Sequence, residues 1–227
     1  MVAPAAQALA PLMGAEAWLE WGWVADHRDL ILDRLREHVE LTVLAVAIGI
    51  VLATPLVVLS RRYRRTYPVV LTTTGILYTI PSLALFTLLL PWTGLSRTTA
   101  LVGLVSYTLL ILVRNAVTGL DGVPDDVREA ARGMGYSPRR SLLTVELPLA
   151  LPAIVAGIRL AVVTTVGLVT VASLIGHGGL GHLILDGLNR RFRTPLVVGA
   201  VLSVALATFA DVALLQVQKR LSPWTRR

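Results

Sequence analysis

The sequence predicts an all-α polytopic membrane protein with five transmembrane helices, and three observations lead there. Of 227 residues, 55% are apolar and only 15% charged, with a mean hydropathy of +0.70, whereas an ordinary soluble domain carries about 25% charged residues. So little charge cannot clothe a water-soluble globule of this size. Five charge-poor stretches approach the roughly 20 residues that a helix needs to cross about 30 Å of hydrocarbon, and they are too long and too uniformly apolar for the roughly 10-residue alternating strands of a membrane barrel. The basic residues between these stretches are distributed unevenly, as membrane topology requires.

Residues 1–38 are expected to form an extracytoplasmic or interfacial segment. The first basic residue is Arg28, so the charged start of a cleavable signal is missing and the first span is expected to direct its own insertion. Trp18, Trp21 and Trp23 suit the headgroup level, and Asp26 to Glu40, with apolar Leu30, Ile31, Leu35 and Val39, read as an interfacial amphipathic helix. The transmembrane domain is expected over 39–218. Its spans run from about Leu41 to Ser60, Pro68 to Pro91, Thr98 to Val113, Leu149 to Ile175 with Arg159 inside, and Pro195 to Gln218 with Asp211 inside. Residues 219–227 form a basic tail.

Arg61, Arg62, Arg64 and Arg65, then Arg114, Arg128, Arg132, Arg139 and Arg140, then Lys219, Arg220, Arg226 and Arg227 put thirteen basic residues on one side. Arg28, Arg34, Arg36, Arg97, Arg190, Arg191 and Arg193 put seven on the other. The positive-inside rule therefore predicts an external N-terminus and a cytoplasmic C-terminus. The same topology accounts for the net charge of +7, in which 20 of 21 basic residues are arginine, better than a nucleic-acid partner does. The absence of cysteine excludes disulfides, thiolate metal sites and a cysteine nucleophile.

One loop on the basic side, 119–148, is patterned from end to end. Pro124 suits the first turn of a helix whose positive end Asp125 and Asp126 complement. Arg128 and Arg132 share a face beside Glu129, Ala130 and Ala131 permit close approach, and Gly133 and Gly135 supply a terminator. Ser137 and Pro138 open a second short helix as N-cap and first residue. Two such helices at an angle make a wedge that fits a groove on another protein; on composition alone a bare connector reads as well.

The loop resembles the EAA signature of the inner-membrane permease subunits of ABC importers: Glu129, Ala130 and Ala131, then Gly135, then Val145-Glu146-Leu147-Pro148. Ile80 to Pro91, Glu129 to Arg159 and Leu174 to Leu188 further resemble the branch that imports the osmoprotectants glycine betaine, choline and carnitine. The resemblance implies a five-helix core of the methionine-permease type with a cytoplasmic coupling helix. It places Glu129, Ala130, Ala131, Gly135, Leu147 and Pro148 at the seat of a cytoplasmic ATPase dimer. It further implies a cell inner-membrane location, a second permease subunit, identical or paralogous, and an extracytoplasmic solute-binding protein. An amino-acid permease of the same architecture is the alternative.

The residues explain why an ATPase must be a separate subunit. A phosphate-binding loop needs Gly-Lys-Ser/Thr, and the one lysine, Lys219, stands between Gln218 and Arg220. No cofactor is called for. Gly176 to Gly181 satisfy GxGxxG literally, but follow a membrane span instead of opening a βαβ unit; a tight turn before a short helix through Leu183 to Leu188 is expected, at an outer gate or the binding-protein surface. His177 and His182 are five apart, against the four of paired helical metal ligands, so no metal site is expected.

The membrane lipid and the pathway divide the remaining polar residues. Thr72, Thr73, Thr74, Tyr78, Thr79 and Ser82 make the second span the most hydroxylated, with Pro81 interrupting it; such hydroxyls bind helices together or line a wet path. Thr73, Tyr78, Pro81, Ser82, Arg159, Thr165, Gly178 and Gly179 are the pathway or gate candidates. An arginine at a span centre costs about 2.5–3.5 kcal/mol on the insertion scale, so Arg159 needs a partner, water or a route to the headgroups. Asp211 near the end of span five reads as snorkelling or paired. An ion-coupled secondary carrier, with inverted repeats and ionisable residues at the midplane, fits less well.

Overall fold

A computed structural model describes residues 19–223, and the regular elements in that range are all helical. Trp18 and the tail arginines Arg226 and Arg227 lie outside the described residues. A short helix α1 (Trp21–Asp26) breaks at His27 and leads into α2 (Arg28–Arg62), 35 residues without interruption and about 50 Å long at 1.5 Å per residue. The interfacial helix expected over 26–40 is therefore continuous with the first span, and the division expected at residue 38 falls inside α2. The reason is twofold. Arg28 to Glu40 contain neither glycine nor proline. A buried stripe at helical spacing, Ile31, His38, Leu41, Thr42 and Ala45, carries the packing straight across that boundary.

The second span is broken. Helices α3 (Thr66–Thr79) and α4 (Ser82–Thr93) meet at 95°. The break falls where proline chemistry puts it: Ile80, preceding a proline, is extended at ψ 128°, and Pro81 offers no N–H to continue the ladder. The Tyr107 hydroxyl donates to the Ile80 carbonyl that the ended helix leaves open. Helix α5 (Arg97–Asp121) starts at Ser96, whose hydroxyl accepts the Thr99 N–H.

Two ion pairs set the topology. Arg97, the first residue of α5, meets Glu40, about a third of the way along α2, at 2.9 Å, and Arg61 meets Asp121 at 2.7 Å where both helices end. The two helices run parallel, so the chain must recross the bilayer between them. The α3–α4 pair alone lies there, and it therefore counts as a full, bent span beside the four straight ones. Five crossings result. Gly49 of α2 lets this parallel pair close up, since a Cβ there would stand 2.1 Å from the Thr108 hydroxyl.

After α6 (Asp125–Gly133), a turn of helix α7 (Pro138–Ser141), a π-helical turn (Leu142–Glu146), α8 (Leu147–Ala172) and a 3₁₀ turn (Ser173–Ile175) form one continuous run. The second helix of the expected wedge is thus the beginning of the fourth span. Pro148 explains the π turn: its ring competes with the carbonyl four residues back, and the helix widens, with the Leu147 N–H reaching the Leu142 carbonyl. Helix α8 packs antiparallel on α5, Gly119 lying against Ala150 and Ala153. A short α9 (Gly181–Arg190) and a long α10 (Arg193–Leu221) complete the chain. Three apolar clusters hold the described residues together, around Phe86, Leu104 and Val169, around Leu112, Val113 and Ala161, and around Ile31, Leu180 and Leu183.

Candidate functional site

The α6 loop lies at the end of the bundle that carries the basic turns after α2 and α10. Its helix is closed by a Schellman arrangement: the Tyr136 N–H bonds the Ala131 carbonyl at 3.1 Å and the Gly135 N–H the Arg132 carbonyl at 2.9 Å. Gly135 sits at φ +80°, the left-handed conformation that glycine adopts without strain. Of the two expected terminators Gly135 closes the helix, while Gly133 is its last residue. The signature splits by face: Glu129 and Ala130 are exposed and Ala131 is buried. Met134, Leu143 and Leu147 stand exposed beside them, and Pro148 is half-buried. Ser137 caps α7 by accepting the Arg140 N–H at 3.3 Å. The site is an apolar and acidic knob projecting from the spans.

The pathway candidates do not converge. Thr73, Tyr78 and Pro81 are exposed on the bent span and Ser82 half-buried, with the Tyr78 ring edge-on to Tyr107 at 5.8 Å. Thr165 is buried and donates back to the Ala161 carbonyl at 2.7 Å, a packing position within α8. Gly178 and Gly179 are buried in the turn between α8 and α9; a Cβ on Gly178 would meet the Ser173 backbone at 2.2 Å. The expected glycine turn and following helix are present, with Gly176 and Gly179 at φ +85° and +51°.

That turn is pinned by His38, which is wholly buried. The Leu180 N–H donates to His38 Nδ1 at 3.3 Å, which leaves the ring proton on Nε2, donated to the Val166 carbonyl at 3.1 Å. In the first turn of α9, next to that turn, burial and the Arg34 charge hold His182 below its ordinary 6.5. The opened turn therefore binds more protons than the closed one, and closure weakens as pH falls below that value. Amide hydrogen exchange over 176–183, corrected for its intrinsic pH dependence, is expected to be faster at pH 5 than at pH 8.

Arg159 and Asp211 are partners. The guanidinium forks onto both carboxylate oxygens at 2.9 Å and reaches Gln218 Oε1 at 3.1 Å, while Gln218 Nε2 donates to the Pro152 carbonyl at 3.1 Å. This ties α8 to α10 within one chain. Sequence reasoning noted Arg61, Arg128 and Glu146 separately but did not foresee that the fold joins them, with Asp121, into one charged cluster at the α6 end. The one available signal was an acid, Glu146, inside the apolar run that follows Ser141.

The fold is thus a parallel pair of spans flanking a broken one, with a short Schellman-closed helix at the end where the basic turns gather. The chain matches the family described as the binding-protein-dependent transport system inner membrane component over residues 45–223. It belongs to that family, and is a multi-pass inner-membrane permease subunit that works with an ATPase carried on a separate subunit. It is 36% identical over 193 residues to the choline transport system permease protein OpuBB of Bacillus subtilis strain 168, covering 85% of this chain and 89% of that one. It is 37% identical over 206 residues to the osmoprotectant import permease protein OsmW of Salmonella typhimurium, covering 88% and 96%. In fold it resembles the permease chain of the inward-facing MetNI methionine ABC transporter, with a TM-score of 0.75 at 23% identity over 86% of this chain and 98% of that chain. The methionine-permease-like five-helix core is thus the observed one.

Proposed function

We propose that this chain, paired with an identical or paralogous permease subunit, forms the translocation pathway of an importer for quaternary-amine osmoprotectants such as glycine betaine, choline or carnitine. The N-terminus lies outside and the α6 end in the cytoplasm. The observation that carries the reading is the geometry of α6: Glu129, Ala130 and Met134 exposed on a short helix that Gly135 closes, at the end where the basic turns gather. A cytoplasmic ATPase dimer seats on that knob, and its closure on ATP moves the spans between inward-open and outward-open arrangements. An extracytoplasmic binding protein delivers the solute, so the permease needs no tight site of its own. The solute class rests on relatives named for choline and osmoprotectant import.

The test is uptake by the complete complex in liposomes. Radiolabelled choline or glycine betaine is expected to accumulate with ATP and binding protein, and methionine is not; accumulation of methionine alone would replace the solute assignment. In the same assembly Glu129→Arg puts a bulky cation on the docking face and is expected to abolish ATPase association and uptake. Normal uptake by that variant would remove α6 from the coupling role.

A further inference from the structure

We propose that Glu146 is a positioning residue that clasps the coupling helix to three spans, so that motion received by α6 reaches them as one body. The proposal rests on the reading that α6 receives the ATPase stroke. Apolar packing alone holds α6 poorly, because Ala131 is its one buried residue. Its Arg128 bridges the gap. That guanidinium donates to the Leu120 carbonyl at the end of α5 and to Asp125 at 2.7 Å each, and its buried Nε, which makes no hydrogen bond, lies 3.4 Å from Glu146 Oε2 as an ion pair. The same carboxylate oxygen takes Arg61 Nη2, from the end of α2, at 2.6 Å, and Arg61 continues to Asp121 of α5 at 2.7 Å.

One carboxylate oxygen is thus shared by α2 and α6, and through the π turn it belongs to α8. Glu146 is buried, with a side chain 11% exposed, so solvent screens these contacts little. Buried ion pairs contribute little net stability compared with apolar packing, and the role proposed for this one is to hold the register of α6 against α2 and α8. The position matters mechanically: Glu146 ends the π turn, where the ladder of the fourth span is widened next to Pro148. Unclasped, that turn is where α6 would swing without moving the helix behind it.

The consequence is loss of coupling with the machinery intact. Glu146→Gln keeps the shape and removes the charge, which abolishes the ion pair with Arg128 and leaves Arg61 a neutral hydrogen bond roughly half as strong as the charge-assisted one. In liposomes holding the complete transporter, binding-protein-stimulated ATP hydrolysis is expected to persist while solute imported per ATP falls about tenfold. The chain has no cysteine, which permits a rescue. Arg128→Cys with Glu146→Cys is expected to be uncoupled, to recover when a short bifunctional methanethiosulfonate bridges the two thiols, and to lose coupling again on reduction. An unchanged import-to-ATP ratio in Glu146→Gln overturns the clasp, as does a bridged double variant that stays uncoupled or an equal fall in hydrolysis and uptake with a lowered melting temperature. Glu129→Arg in the same vesicles separates the failures: if it abolishes uptake while Glu146→Gln does not uncouple, the docking reading stands and the clasp alone falls.

Discussion

Gly179→Val is expected to unfold the end of the bundle opposite α6. At φ +51° the backbone is left-handed, which costs a β-branched residue about 1–3 kcal/mol. The new Cβ would lie 2.5 Å from His38 Cβ and 2.6 Å from its backbone nitrogen, and overpacking of this kind costs about 1–3 kcal/mol more. Neither contact can relax, because His38 is about three turns inside α2 and fully buried. Forcing the turn away also strips the Leu180 N–H from His38 Nδ1, leaving a buried acceptor unmet. With about 3 kcal/mol lost, the melting temperature in detergent is expected to fall by about 10 °C, with Gly179→Ala in between. A valine variant that melts with the wild type would show that the turn is not held against α2.

The second large effect concerns the fork between α8 and α10. Arg159→Leu leaves Asp211 charged on a helix whose apolar window is only 11% buried, and frees Gln218 from one of its two bonds. Removing one partner of such a pair is far worse than removing both. The yield of folded protein is expected to collapse for Arg159→Leu and to recover in Arg159→Leu with Asp211→Leu. Arg159→Lys is expected to rescue only in part, since an ammonium cannot fork onto two oxygens. Equal melting temperatures for the single and the double variant would mean that the pair does not hold α10.

Much of this was legible beforehand because membrane spans announce themselves by length and charge, and because Pro81, Gly135 and Ser137 each act through local backbone chemistry. The continuous α2 was not legible: Arg28 to Glu40 are charged like a surface segment, and only burial against α8 and the glycine turn, more than a hundred residues away in sequence, shows that this stretch belongs to the bundle. Arg159 and Asp211, 52 residues apart, were each noticed but could not be paired from one chain read linearly. Thr165 looked like Thr73 in the sequence; helix rotation buries the first and exposes the second. Glu146 was read only as part of the signature for the same reason, since its partners come from the end of α2 and from within α6.

The parallel run of α2 and α5 bears on how the chain is made. Neighbours of that kind cannot zip together as a hairpin on leaving the ribosome; the kinked segment between them must first thread to the far leaflet and return the chain. During that interval α2 waits in lipid with Gly49 and its buried stripe uncovered, and the main antiparallel neighbour of α5 arrives only once α8 has been synthesised. Biogenesis of this subunit therefore has a late closing step, and truncations ending before α8 should yield inserted but unassembled fragments, the kind of substrate that membrane quality-control proteases remove.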